Sequence, residues 1–246
     1  MKKNTKKKMF TLALVICLLA IAMVGGSLAW FTAEDEATNT FTVGSIKIEQ
    51  KEEFEQNSQL LPVVPNDTET PSDDANYVKK EVTVKNTGKN SAYIRTFIAV
   101  PAALEPECLK LDIDGTDWTL QWAYPTFEYN GVEYVSLCYV YNKPLESGET
   151  TPMLLKGVYL DASVDLKNDP ANANTNLEFC RRVNGEYVFT GFEIADENGK
   201  ILKNIDVLVR TEAVQVQGFE SEGPQGALNT AFGSLNDGYH PFVISE

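Results

Sequence analysis

Lys80-Glu-Val-Thr-Val-Lys-Asn-Thr-Gly-Lys-Asn-Ser-Ala-Tyr-Ile-Arg-Thr-Phe-Ile-Ala-Val100 decides the structural class of this chain. Residues 81–85 alternate, which puts Val82 and Val84 on one face of an extended strand. Residues 86–91 are turn formers, and residues 92–100 are again extended, ending at Pro101. Two β-prone runs joined by a short turn cluster predict a hairpin-like pair.

The same pattern extends in both directions. Three Asn-Gly dipeptides, at 130–131, 184–185 and 198–199, each lie between β-prone runs. Asn and Gly tolerate the positive φ of a type I′ turn, so each predicts a tight hairpin. The expected flanking strands are 126–129 with 132–141, 178–183 with 187–190, and 192–195 with 201–202. Residues 153–160 and 205–216 read as further strands, as do 41–43 and 46–49 on either side of Gly44. Short strands separated by turn signals predict an all-β sandwich or barrel. One amphipathic helix is expected over 224–235, with Leu228, Ala231, Phe232 and Leu235 on one face and Pro224 in the first turn. A second short helix could occupy 102–109. Residues 55–76 are polar and Pro-rich and read as a loop. No internal repeat or second composition regime occurs, so residues 30–246 are expected to form one domain.

The first 29 residues read as an address. Lys2, Lys3, Lys6, Lys7 and Lys8 precede an apolar run from Met9 to Val24, and Ser27 and Ala29 supply the small side chains of a cleavage site. The apolar run is about 16 residues, short of the ~20 that span a bilayer as a helix. Cleavage is therefore expected between Ala29 and Trp30, and a secreted product, with membrane contact only during export. The leader carries five lysines and no acids, so the net charge of −14 for the whole chain becomes −19 beyond it. Such a surface argues against nucleic acid or anionic membrane as partners.

Chemistry is sparse. The single histidine, His240, lies six residues from the end, and no HExxH, GxSxG or P-loop occurs. An enzyme is not expected, nor is a cofactor. Beyond the leader, Cys108, Cys138 and Cys180 remain; one disulfide plus a thiol, or three thiols, are both open. Asp112, Asp114 and Asp117 alternate around Gly115, as carboxylates that wrap Ca²⁺ can. The twelfth position counted from Asp112 is Ala123, not Glu, and a simple Asp-Gly turn is favoured. Trp118, Trp122, Tyr124, Phe127, Tyr129, Tyr134, Tyr139 and Tyr141 crowd one span. They could form a sugar-binding platform, but the even spacing of Trp118/Trp122 and Tyr139/Tyr141 favours core and cross-strand pairs.

Gly25-Gly-Ser-Leu-Ala-Trp-Phe-Thr32 followed by Ala37-Thr-Asn-Thr-Phe-Thr-Val-Gly-Ser-Ile-Lys-Ile48 resembles the start of the TasA/camelysin group. These are secreted proteins of Gram-positive bacteria whose leader is removed by a SipW-type signal peptidase. Residues 80–95, Ala213-Val-Gln-Val-Gln-Gly-Phe219 and Ala227-Leu-Asn-Thr-Ala-Phe-Gly233 are similar to later parts of that group; residues 101–206 match only in β character. The resemblance implies a jelly-roll-like antiparallel sandwich with one or two short peripheral helices. It also implies a subunit or accessory of an extracellular biofilm-matrix fibre, in which the mature N-terminal segment adds as a strand to the next subunit. The metalloprotease label of camelysin is not carried over, because no zinc site is recognisable.

The physics of a free N-terminal strand is compatible with that role. Backbone hydrogen bonds supply affinity and alternating side chains supply register. Trp30, Phe31, Phe41, Val43, Ile46 and Ile48 are the candidate assembly residues, Phe41/Val43 and Ile46/Ile48 each sharing a face. The exchangeable part ends either at Thr40, with 41–49 the first strand of the chain's own sandwich, or beyond Gly44. The alternatives are a monomeric surface module that grips polysaccharide or protein, and a secreted hydrolase.

Overall fold

A computed structural model describes residues 32–35, 46–54, 77–123, 126–234, 239 and 241–242. Thirteen strands and one helix occupy them: β1 Thr32–Asp35, β2 Ile48–Phe54, β3 Val78–Asn86, β4 Ala92–Pro101, β5 Leu109–Ile113, β6 Trp118–Ala123, β7 Phe127–Tyr129, β8 Val132–Tyr141, β9 Leu155–Leu160, β10 Val164–Asn168, β11 Leu177–Val183, β12 Glu186–Ala195, β13 Leu208–Gln215 and α1 Gly223–Phe232. All ladders between them are antiparallel. One sheet runs β1-β13-β4-β8-β6, with β7 also on β8; a second runs β2-β3-β9-β5; a third, smaller one runs β10-β11-β12. The antiparallel sandwich expected from the sequence is the fold.

The principal core lies between the first two sheets. Val82 and Val84 of β3 and Leu155 and Val158 of β9 meet Ile94 and Ile98 of β4 and Tyr139 of β8. Phe179, Phe192 and Ile194 of the third sheet join the same core. Each such fully buried apolar side chain contributes ~1.5–3 kcal/mol. Alternation along β3 fits this arrangement, with its even-numbered residues buried from Val78 to Asn86.

The pairing of β3 corrects the expected hairpin. β3 pairs with β2 and β9, whereas β4 pairs with β13 and β8, so residues 86–91 cross from one sheet to the other. The reason is burial on both sides. Every residue of β4 is buried, so this strand must have neighbours on both edges and layers on both faces. Asn86 anchors the crossing. Its Nδ2 donates to the carbonyls of Asn90 (2.8 Å) and Leu145 (2.9 Å), and its Oδ1 accepts from the Gly88 amide at 2.9 Å. The side chain thus satisfies backbone groups that a hairpin ladder would have paired.

The outer face of the first sheet carries a second apolar cluster. Tyr93 and Phe97 of β4, Cys138 and Val140 of β8, and Val214 of β13 pack under Phe219, Ala227 and Leu228. Tyr239 and Phe242 complete the cover, with Phe242 stacked on Phe127 at 5.4 Å. The predicted helix is present as α1, with Pro224 in its first turn and Ala227 and Leu228 buried; Leu235 lies outside the described residues. The second expected helix does not form. Residues 102–108 are a succession of turns, because Pro106 lacks an amide and restricts Glu105.

Two of the three Asn-Gly turns behave as expected. Asn130 (φ 51°) and Gly131 (φ 74°) join β7 to β8, and Asn184 (φ 52°) and Gly185 (φ 91°) join β11 to β12. The third differs. Only Gly199 is left-handed there, the Gly199 amide donates to the Asp196 carbonyl, and 201–202 contributes a single bridge, Ala195 to Ile201. The Asp196 carboxylate accepts from the Asn198 and Lys200 amides, which selects this wider turn.

Candidate functional site

The N-terminal segment meets the body of the fold along β13. Thr32, Ala33, Glu34 and Asp35 pair in antiparallel register with Val214, Ala213, Glu212 and Thr211. β1 is therefore a four-residue edge strand on a β13 that holds β4 over eight residue pairs on its other side. The expected cleavage junction Ala29/Trp30 and the candidate assembly residues Phe31, Phe41 and Val43 lie outside the described residues. Ile46 and Ile48 do not: both are buried in the principal core, and Ile48 opens β2, in register with Asn86. These two positions belong to the chain's own sandwich.

Directly behind the β1 edge, β13 is locked by a buried charge pair. Arg95 of β4 donates from Nε to Glu212 Oε2 at 2.5 Å, and the two side chains are 1% and 0% exposed. Arg95 Nη1 also donates to Asn229 Oδ1 of α1 at 3.2 Å. The guanidinium lies 5.2, 5.4 and 5.3 Å from the rings of Phe97, Phe232 and Tyr239, within cation–π range. The Tyr239 hydroxyl donates to the other Glu212 oxygen, and Arg210 Nη1 donates to the Pro241 carbonyl. Burial pushes the Glu212 carboxyl above the ordinary glutamate range, while Arg95 pulls it back down. Among the described residues, buried Arg95 Nη2 has no hydrogen-bond partner. The whole arrangement ties β4, β13, α1, Tyr239 and Pro241 into one unit, and so fixes the strand against which β1 lies. A charged residue in the middle of the apolar run 92–100 was the signal in the sequence that could have revealed it.

The three aspartates considered for Ca²⁺ are occupied separately. Asp112 accepts from the Tyr77 hydroxyl (2.8 Å), Asp114 from the Thr116 amide (2.9 Å) with Lys156 at 3.3 Å, and Asp117 pairs with Lys143 at 2.7 Å. Among the described residues no three His, Cys, Asp or Glu side chains are grouped to hold a metal ion. The left-handed φ of Asp117 (63°) belongs to a turn.

The aromatic span is core rather than platform where its side chains are described. Trp118, Phe127, Tyr134, Tyr139 and Tyr141 are buried, and Trp118 packs on Tyr141 at 5.2 Å. Tyr129 alone of the described set is exposed. Among the described residues, Cys108, Cys138 and Cys180 are buried thiols. Burial pushes Cys108 up to about 11 and Cys138 up to about 12, which makes both poor nucleophiles.

One polar cluster was not anticipated. Asn172, Asn174 and Asn176 donate from Nδ2 to the two oxygens of Glu193, at 3.3, 2.7 and 2.7 Å. These bonds hold the Glu193 carboxyl below the ordinary range, Asn176 contributing most. The alternating asparagines thereby pin the 169–176 loop to β12. Comparison of the whole chain with protein-family models, and with curated proteins, finds no match.

Proposed function

We propose that this chain is a secreted structural protein that assembles head to tail into an extracellular fibre, with the segment around β1 passed from one subunit to the next. The observation that carries this reading is the place of β1: a four-residue strand at the end of a sheet, paired among the described residues with β13. A strand held by backbone pairing along one edge can be replaced by the same segment of another copy, which offers the same backbone hydrogen bonds. β13 keeps its ladder to β4 and its buried Glu212 when β1 leaves, so the acceptor edge does not depend on the donor. Strand donation from the N-terminus of one copy to the β13 edge of another is heterologous and does not close, which generates a filament. The resemblance of the leader and of 37–48 to secreted matrix proteins points the same way, and the SipW-type signal peptidase is the processing partner it implies. The acidic surface and the dispersed carboxylates suit a structural role better than catalysis.

Deletion of residues 30–40 from the purified mature protein tests the proposal. The expected result is loss of filaments in electron micrographs with the sandwich still folded by circular dichroism. Filaments of unchanged length from the deleted chain would refute it. Mass spectrometry of the exported protein, expected to begin at Trp30, tests the cleavage on which it depends.

A further inference from the structure

We infer that β12 is a second self-association edge, pairing antiparallel with β12 of another copy about a two-fold axis through Val188, and that it joins filaments or free subunits side by side. β12 is the end strand of the third sheet, and its far end is covered where Ala195 bridges Ile201 and the Leu202 amide donates to the Ile194 carbonyl. Among the described residues nothing pairs with the open side of β12 between Glu186 and Gly191.

The turn geometry says which backbone groups face outward. A two-residue Asn184-Gly185 turn makes Val183 and Glu186 a hydrogen-bonded pair, and the pattern then alternates along the ladder. Tyr187, opposite Arg182, and Phe189, opposite Cys180, therefore turn their amide and carbonyl groups away from β11. An axis through Val188 sets Tyr187 of one copy against Phe189 of the other, twice. Every outward group then meets an outward group, and no group is wasted. The same register sets Glu186 against Thr190, so no like charges oppose each other. Val188, 49% exposed in the single chain, meets its own copy.

The composition of the edge fits a self-complementary contact. Native edges are usually blunted by charge, proline or a bulge. β2 carries Lys51, Glu52 and Glu53, β10 carries Asp165 and Lys167, and β6 is broken by a bulge between Leu120 and Trp122. The run Tyr187-Val-Phe-Thr190 has none of these, and its register irregularities begin only past Phe189. Val183, Tyr187 and Val188 are all exposed at this hairpin end. The contact is small, so a single pair is weak, and repetition along neighbouring fibres multiplies it. Because both copies are strongly acidic, the association strengthens as added salt screens their repulsion.

This inference does not depend on strand donation by β1, and one experiment separates them. A Val188→Cys variant is oxidised with oxidised glutathione as the acceptor of the two electrons, the two thiols losing their protons as the disulfide forms. Cα atoms of a non-hydrogen-bonded antiparallel pair lie about 4.5 Å apart, within disulfide reach. The expected result is a covalent dimer that forms much faster than from Lys200→Cys, an exposed position off the edge. The same dimer is expected from Val188→Cys lacking residues 30–40. Sedimentation velocity of the otherwise native chain should show dimer that grows with concentration and salt, and Val188→Lys, which opposes two ammonium groups at the axis, should abolish it. Equal cross-linking at 188 and 200, or a Val188→Lys variant that dimerises as the native chain does, overturns the inference.

Discussion

Asn86→Ala measures what holds the crossing between the two principal sheets. The side chain is fully buried and makes three hydrogen bonds, at 2.8, 2.9 and 2.9 Å. Two of the backbone groups keep a second partner: the Gly88 amide also donates to Lys47, and the Leu145 carbonyl also accepts from Ala92. The Asn90 carbonyl has no such replacement among the contacts described, so it bears the full loss. At ~0.5–1.5 kcal/mol per bond, plus the penalty for one stranded acceptor, the expected cost is ~3 kcal/mol. Asn86→Asp sharpens the test. It keeps the acceptor for Gly88 but turns a second oxygen, with a charge, toward two carbonyls in a site closed to water. It should therefore be less stable than Asn86→Ala at neutral pH and recover toward it on acidification. Urea unfolding followed by tryptophan fluorescence gives both values. Asn86→Asp at least as stable as Asn86→Ala at pH 7, or an alanine cost well under 1 kcal/mol, would show that the crossing is held by something other than this amide.

Other perturbations give equally definite outcomes. Glu212→Leu leaves the Arg95 charge buried and uncompensated and should cost ~3–5 kcal/mol, while the double variant with Arg95→Met should regain most of it; chemical denaturation of the four proteins reads the coupling. Gly157→Ala drives a Cβ into the Tyr77 ring, whose hydroxyl is anchored to Asp112, and should cost ~1–3 kcal/mol in thermal unfolding. Glu193 has a folded pKa below its ordinary value, so its stabilising contribution is present above that value and is lost as pH falls through the lowered one. An NMR titration should show the Glu193 midpoint moving up in Asn176→Ala, and no movement would remove the proposed clamp. Iodoacetamide at pH 8 should leave Cys108, Cys138 and Cys180 unmodified in the folded protein and alkylate all three after denaturation, read by mass spectrometry; rapid labelling of folded Cys138 would contradict its burial.

Strands were legible because side-chain alternation is local. Val82 and Val84 point inward as their spacing requires, and the left-handed Asn130 and Asn184 turn their hairpins as the dipeptide requires. Partners were not legible, because alternation is indifferent to which strand lies alongside. Residues 81–85 and 92–100 read as a hairpin, and only the two-sided burial of β4 sends them to different sheets. At 198–199 the Asp196 carboxylate outcompeted the I′ preference, and at 102–109 Pro106 outweighed helix-compatible neighbours. The geometry of the candidate segment was legible only in part. The N-terminal segment was singled out, but its register on β13 was not, and Ile46 and Ile48 proved to be core. Arg95 and Glu212 are 117 residues apart, beyond the reach of any periodicity.

That separation also has a bearing on how the chain comes into being. β4 is synthesised more than a hundred residues before β13, its hydrogen-bonding neighbour, and before α1, which roofs its outer face. At roughly 5–20 residues per second, a nascent chain carries β4 with its β13 edge and outer face uncovered for on the order of 5–20 seconds. Vectorial emergence therefore leaves one edge and one face of this strand sticky until about the last sixth of the chain arrives. Escort of the growing chain, rather than the stability of the finished one, becomes the step at which its yield is decided.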